Sequence, residues 1–182
     1  MRALDDLVGQ GKVRYVGCST LPAWRVVEAQ WTAKYHGLHH FVSCQEEYSL
    51  LARRLDHEMM PMLQAYDLGL IPFAPLANGL LTGKYKRGAP LPAGARLSYM
   101  QRSAARYLTE DNWAIVERLE EFAAARGHNL LELAVSWLLR WPQVASVIAG
   151  ATRPEQVEQN ARAAGWALTE AEMQEIDRLT AT

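Results

Sequence analysis

Four short runs of apolar, β-branched and small residues punctuate the chain: KVRYVGCS (Lys12–Ser19), FVSCQ (Phe41–Gln45), LIPFAP (Leu70–Pro75) and VASVIAG (Val144–Gly150). Polar and apolar positions hardly alternate within them, as in strands buried on both faces of a parallel sheet. Pro72 predicts a bulge or a strand end, because proline removes a ladder donor. Between the runs the apolar period becomes helical. Trp24, Val27, Glu28 and Trp31 predict a helix from Pro22 to about Tyr35, with Thr20 as its cap. Leu55, Met59, Met62, Leu63 and Tyr66 predict a second from Arg53 to Asp67, ending before Gly69. Ile115, Leu119 and Phe122 predict a third from Asp111 to Arg126, stopped by Gly127. Asn129 opens a fourth, running through Trp141, with Glu132 three residues on as its capping-box partner. The segments TRPEQVEQNARAA and TEAEMQEIDRLT both begin Thr-x-x-Glu and predict two capped helices near the end.

Alternation of this kind predicts βαβ units and an α/β fold with a parallel sheet. An open doubly wound sheet and part of a (β/α)8 barrel both satisfy it. A complete barrel takes about 250 residues, so four strands in 182 residues amount to a partial TIM barrel, one domain over 1–182. The stretch from Ala77 to Tyr107 breaks the pattern: five glycines or prolines fall between Gly83 and Gly94, and five basic residues between Lys84 and Arg102. A loop of that length covers a site or is disordered. It follows the third strand, so it belongs at the C-terminal face, where ligands bind in either architecture.

Composition narrows the function. A net charge of −1 excludes the basic face that a nucleic-acid partner needs. No apolar run reaches the roughly 20 residues of a membrane span, and the N-terminus has no signal-peptide core. The two cysteines, Cys18 and Cys44, lie in separate strand runs and read as two buried thiols on neighbouring strands, in a reducing cytoplasm. His36, His39 and His40 precede a strand, opposite the expected site, without ligands at zinc spacing, so no metal is expected.

The stretches LDDLVGQGKVRYVGCST, QEEYSLLARRLDHEMMP, FAPLANGLLTGKY and LAVSWLLRWPQVASVIAGATRPEQVEQN, in this order, resemble the C-terminal half of the aldo-keto reductases, and the resemblance covers nearly the whole chain. That family uses a (β/α)8 barrel to move hydride from NADPH to carbonyls. The resemblance implies strands five to eight of that barrel and NADP as cofactor, with NAD less favoured. Ser19 matches a residue that contacts the nicotinamide carboxamide, and Thr20 stands where the family has asparagine. Gln45 matches the glutamine on the same amide, where donor and acceptor are needed together. Phe73 matches the aromatic that stacks on the nicotinamide ring. Pro75, Leu76, Ala77 and Gly79 match the turn along pyrophosphate and ribose, with Asn78 exposed to it and Lys84 within reach of a phosphate. In VIAGATRPEQVEQN, Gly150 lets the backbone come close and the following helix start offers amides to an anion. Thr152 combines a cap, boxed with Glu155, with donation to the ligand; Arg153 matches a partner for a 2′-phosphate. Gln156 and Asn160 share one helical face and match the pair at adenine and ribose-phosphate.

The family's proton-donating tyrosine and its aspartate, lysine and histidine lie on the first four strands. None has a counterpart here, and no local tyrosine sits beside a Lys and His in a recognisable pattern. The chain alone is therefore expected to be inactive, a carbonyl being its substrate only when the missing half completes it. A non-catalytic nucleotide-binding or interaction module stays open as the alternative. A four-stranded slice of barrel would also expose sheet edges, which predicts a homodimer or other edge association.

Overall fold

The computed structural model describes residues 1–181. A short helix, α1 (Arg2–Gly9), leads into β1 (Val16–Ser19); α2 (Ala23–His36) then connects to β2 (Phe41–Glu47), and α3 (Met59–Ala65) to β3 (Gly69–Phe73). The strands form a parallel sheet in the order β1-β2-β3, so this is an α/β fold with a small parallel sheet and many helices. After β3 come α4 (Arg96–Tyr99), α5 (Gln101–Tyr107), α6 (Glu110–Ala124), α7 (Leu130–Leu139), α8 (Pro154–Arg162) and α9 (Glu170–Thr180).

The fourth predicted strand does not form as such. Val144 and Ile148 make only isolated parallel bridges to Leu70 and Phe73. Pro72 supplies the reason. The Leu70 N–H donates to the Gln143 carbonyl at 2.6 Å, and the Leu70 carbonyl accepts from Ala145 at 3.0 Å. Two residues on, on the same side of β3, the proline nitrogen has no hydrogen to give, so only the Pro72 carbonyl pairs, with the Ile148 N–H at 2.9 Å.

Proline also redraws three helix boundaries. The helix expected from Arg53 to Asp67 starts at Met59, behind a 3-10 turn over Arg54–Asp56. Pro61 fits a first turn but not the middle of a longer helix. Pro22, not Thr20, caps α2 with extended backbone, and Thr20 instead takes φ 58° and donates its N–H to the Gln45 carbonyl. At α8 the expected Thr152–Glu155 box is absent. Pro154 forces Arg153 into extended backbone (φ −143°, ψ 148°), which makes Arg153 the cap, and Gln156 reaches back to the Thr152 N–H and hydroxyl. The boxes Asn129–Glu132 at α7 and Thr169–Glu172 at α9 form as expected. The 77–107 stretch is partly helical, holding a 3-10 segment over Ala77–Thr82 as well as α4 and α5.

The core gathers between the sheet and α6, α7 and α9, around Trp137, Tyr48, Leu70 and Leu119. On α2 the buried face is Ala23, Val26, Gln30 and Ala33, while Trp24 and Trp31 each stay 55% exposed. The buried Gln30 amide clamps the start of β2 by bonding both the N–H and the carbonyl of Phe41. Past the end of β2, the Tyr48 hydroxyl donates to Asp56. Arg53 then bridges Asp56 at 2.7 Å to Asp177 at 2.8 Å and the Thr180 hydroxyl at 2.6 Å, tying the sheet to α9. Burial and the neighbouring Asp56 carboxylate push the Tyr48 phenol above its ordinary pKa, so this tyrosine is a structural strut. Among the described residues no helix is long and apolar enough to cross a membrane.

Candidate functional site

Because the strands are parallel, their carboxyl ends share one side of the sheet. Register places Ser19 beside Gln45 and Glu47 beside Phe73. The Ser19 hydroxyl donates to the Gln45 carbonyl at 2.9 Å and lies 3.2 Å from the Thr20 hydroxyl. Among the described residues, four of the five non-glycine residues with positive φ are here: Thr20, Ala74, Ala77 and Asn78. Backbone held in this region costs energy and concentrates where a site needs it. The turn after β3 is therefore shaped against local preference.

A cleft of about 1500 Å³ opens next to this edge. Phe73, Pro75, Leu76, Asn78 and Gly79 line one side; Gly150, Thr152, Arg153, Gln156 and Asn160 line the other. Ala77 is fully buried beneath the turn. Ser19 on β1, Thr20 just after it and Gln45 on β2 do not line the cleft. With Lys84, eleven predicted or flagged residues thus meet in one cavity, from segments more than 60 positions apart.

Each of the two glycines has a cation over it. A Cβ on Gly79 (φ 97°) would stand 2.7 Å from the Lys84 Nζ, and one on Gly150 would lie 3.5 Å from an Arg96 guanidinium nitrogen. Burial first, then the nearby positive charges of Arg96 and Arg153, hold the Lys84 ammonium below its usual pKa. Lys86, Arg87 and Arg106 each hold a carboxylate. Lys84, Arg96 and Arg153 have no such ion pair among the described residues. Three cations crowded without a counter-ion favour a bound anion. Arg96 was not singled out from the sequence. It carries no periodic or motif signal, only membership of a basic loop.

A second group missed by sequence reasoning sits where β2 and β3 end. Glu47 accepts from the Tyr107 hydroxyl at 2.5 Å and from Arg106 at 2.8 Å, pinning α5 across the strand ends. Burial, then the Glu47 carboxylate, raise the Tyr107 phenol above its ordinary value. Tyr107 therefore holds its proton at neutral pH and serves to anchor α5. Away from the cleft, His39 binds Asp5 at 2.6 Å, and His128 stacks on Trp166 with centroids 4.1 Å apart.

The family profile described as "Aldo/keto reductase family" matches residues 1–181. The chain belongs to that family. It is 38% identical over 169 residues to the L-glyceraldehyde 3-phosphate reductase of Escherichia coli (strain K12), covering 88% of this chain and 47% of that protein. It is 31% identical over 179 residues to the versiconal hemiacetal acetate reductase of Aspergillus parasiticus, covering 97% and 51%. It is 36% identical over 166 residues to a probable voltage-gated potassium channel subunit beta of Oryza sativa subsp. japonica, covering 90% and 50%. The chain spans about half the length of these relatives.

Proposed function

We propose that this chain is the cofactor-holding part of an NADP-dependent oxidoreductase acting on aldehydes or ketones. It would supply four βα units, strands five to eight, of a (β/α)8 barrel. The observation that carries the reading is the meeting of Lys84, Arg96 and Arg153 in the cleft, with Lys84 against the Gly79 backbone and Arg96 against Gly150. Pyrophosphate and a 2′-phosphate are the anions that such a trio suits, and the trio is richer in charge than NAD requires. Gln156 and Asn160, on the same wall, have the amide chemistry for adenine and ribose. The Ser19 and Thr20 hydroxyls and the Gln45 amide can bond a carboxamide, and Phe73 offers a ring for stacking. Bound there, the dinucleotide would supply a hydride; the residues of this chain bind and orient it.

Tyr48, past the end of β2, and Tyr107, bonded to Glu47, are each held above the ordinary phenol value by burial and a carboxylate, and each is engaged as a strut. The proton donor of a full reductase would come from the part of the family fold that precedes these strands, where the resemblance places its tyrosine, aspartate, lysine and histidine. The same observation favours a second reading, a nucleotide-binding module without catalysis. Calorimetric titration tests the first step: NADP⁺ should bind at least about tenfold more tightly than NAD⁺, a difference of about 1.4 kcal/mol. Equal affinities, or no binding at millimolar dinucleotide, would overturn the reading. NADPH with a nitrobenzaldehyde should give no turnover with this chain alone; turnover would refute the assignment of the acid to residues elsewhere. Turnover on adding the amino-terminal half of a reductase relative would favour the enzyme over the module.

The outer edge of β1 presents unpaired backbone groups, and Trp24, Trp31 and Tyr35 are exposed on α2. These features support self-association or pairing with a complementary half-barrel.

A further inference from the structure

Cys18 on β1 and Cys44 on β2 are register partners, and their sulfurs lie 3.4 Å apart. Adjacent strands run about 4.8 Å apart, within the roughly 4.4–6.8 Å between Cα atoms that a disulfide tolerates. The two thiols are not equivalent. Cys18 is half-buried on the outer strand of the sheet, while Cys44 is fully buried in the core. A hydrogen bond from Cys44 favours the Cys18 thiolate, against the opposing effects of burial and Glu46; the same bond, then burial, makes Cys44 a weaker acid than usual. Access and acidity therefore select the same sulfur for attack.

We propose that Cys18 and Cys44 form a dithiol oxidation site, at which a hydroperoxide closes a reversible disulfide between β1 and β2. In the first step the Cys18 sulfur attacks one peroxide oxygen. The O–O bond breaks, Cys18 becomes a sulfenic acid, and water (or an alcohol) leaves with the thiol proton. In the second step the Cys44 sulfur attacks the Cys18 sulfur; the S–O bond breaks and a second water leaves. Two electrons pass from the thiols to the peroxide, and a dithiol such as dithiothreitol returns them.

Closing the bond brings the sulfurs from 3.4 Å to about 2.05 Å. The next residue on each strand is Ser19 or Gln45, joined through the Ser19 hydroxyl and the Thr20 N–H to the Gln45 carbonyl. The cross-link therefore loads the two strand ends assigned above to the carboxamide. This second consequence rests on the cofactor reading; the disulfide itself does not.

The test uses the whole chain, freed of reductant and treated with a small excess of hydrogen peroxide. The expected result is a monomer lacking two hydrogens, with no alkylatable thiol, a Cys18–Cys44 linked peptide, and full reversal by dithiothreitol. Cys18→Ser should form no disulfide. Cys44→Ser should leave a Cys18 sulfenic acid that dimedone traps. Two thiols still open to alkylation after unfolding, or linkage only between chains, would overturn the site. Oxidation should weaken NADP⁺ binding about fivefold in the parent and leave C18S unchanged. An unchanged affinity in the oxidised parent would overturn the coupling. If the reduced protein binds no NADP⁺, the cofactor reading falls while the disulfide result stands.

Discussion

Arg153 caps a helix with its backbone and offers its guanidinium to the cleft, so one residue bears on both stability and binding. Replacing it with alanine should lower NADP⁺ affinity by about 1.5–3 kcal/mol, the worth of a hydrogen bond to a charged group, and leave NAD⁺ affinity nearly as it was. Titrations of both dinucleotides decide it; parallel losses would mean the side chain does not face a 2′-phosphate. Gly17 is constrained by space alone. A Cβ there would stand 2.6 Å from the Ser43 hydroxyl and 2.9 Å from the Ser43 carbonyl, and the carbonyl belongs to the neighbouring strand. Gly17→Ala should cost about 1–3 kcal/mol through overpacking, seen as a lower urea midpoint at unchanged m-value. A neutral result would show that β1 can slide away from β2 freely.

Among the elements, the helices differ in how their starts are held. At α7 the Asn129 side chain accepts from the Glu132 N–H and the Glu132 carboxylate accepts in return. Asn129→Ala should cost about 1 kcal/mol. Thr152 is not a cap, so Thr152→Ala should move stability by less than about 0.5 kcal/mol while still weakening dinucleotide binding. Thermal unfolding of the pair separates these cases. Equal losses would restore Thr152 to the capping role its Thr-x-x-Glu sequence suggested. The capping boxes at α7 and α9 were legible because their requirement is local: a side-chain acceptor and a glutamate three residues on. The α8 box failed for an equally local reason, Pro154, which overrode the motif.

Across the whole molecule, Arg53 joins elements far apart in the chain, from Asp56 to Asp177 and Thr180, with its guanidinium 5.2 Å from the Trp137 ring centre. Removing one partner of a buried ion network costs about 3–5 kcal/mol. With these side chains about a fifth to a half exposed, Arg53→Ala should cost about 2–3 kcal/mol. Hydrogen exchange should show α9 loosening together with the end of β2. Loss confined to the 53–56 turn would mean that the sheet and α9 are held independently.

By itself the sequence determined the α/β class, three of the strands, six of the helices, and part of the cleft lining, from Phe73 to Gly79 and from Gly150 to Asn160. The elements follow from periodicity and from proline and glycine positions, all expressed within a few residues; the cleft residues follow from short motifs that resemble those of the family. Only the tertiary structure decided that the fourth run would pair by isolated bridges, because the missing Pro72 donor matters only once that run lies beside β3. It alone brought Arg96 to Lys84 and Arg153, and Tyr107 and Arg106 to Glu47. No periodicity encodes such meetings. They arise when a parallel sheet aligns its carboxyl ends and the loops close over them, so charges distant in sequence share one cleft.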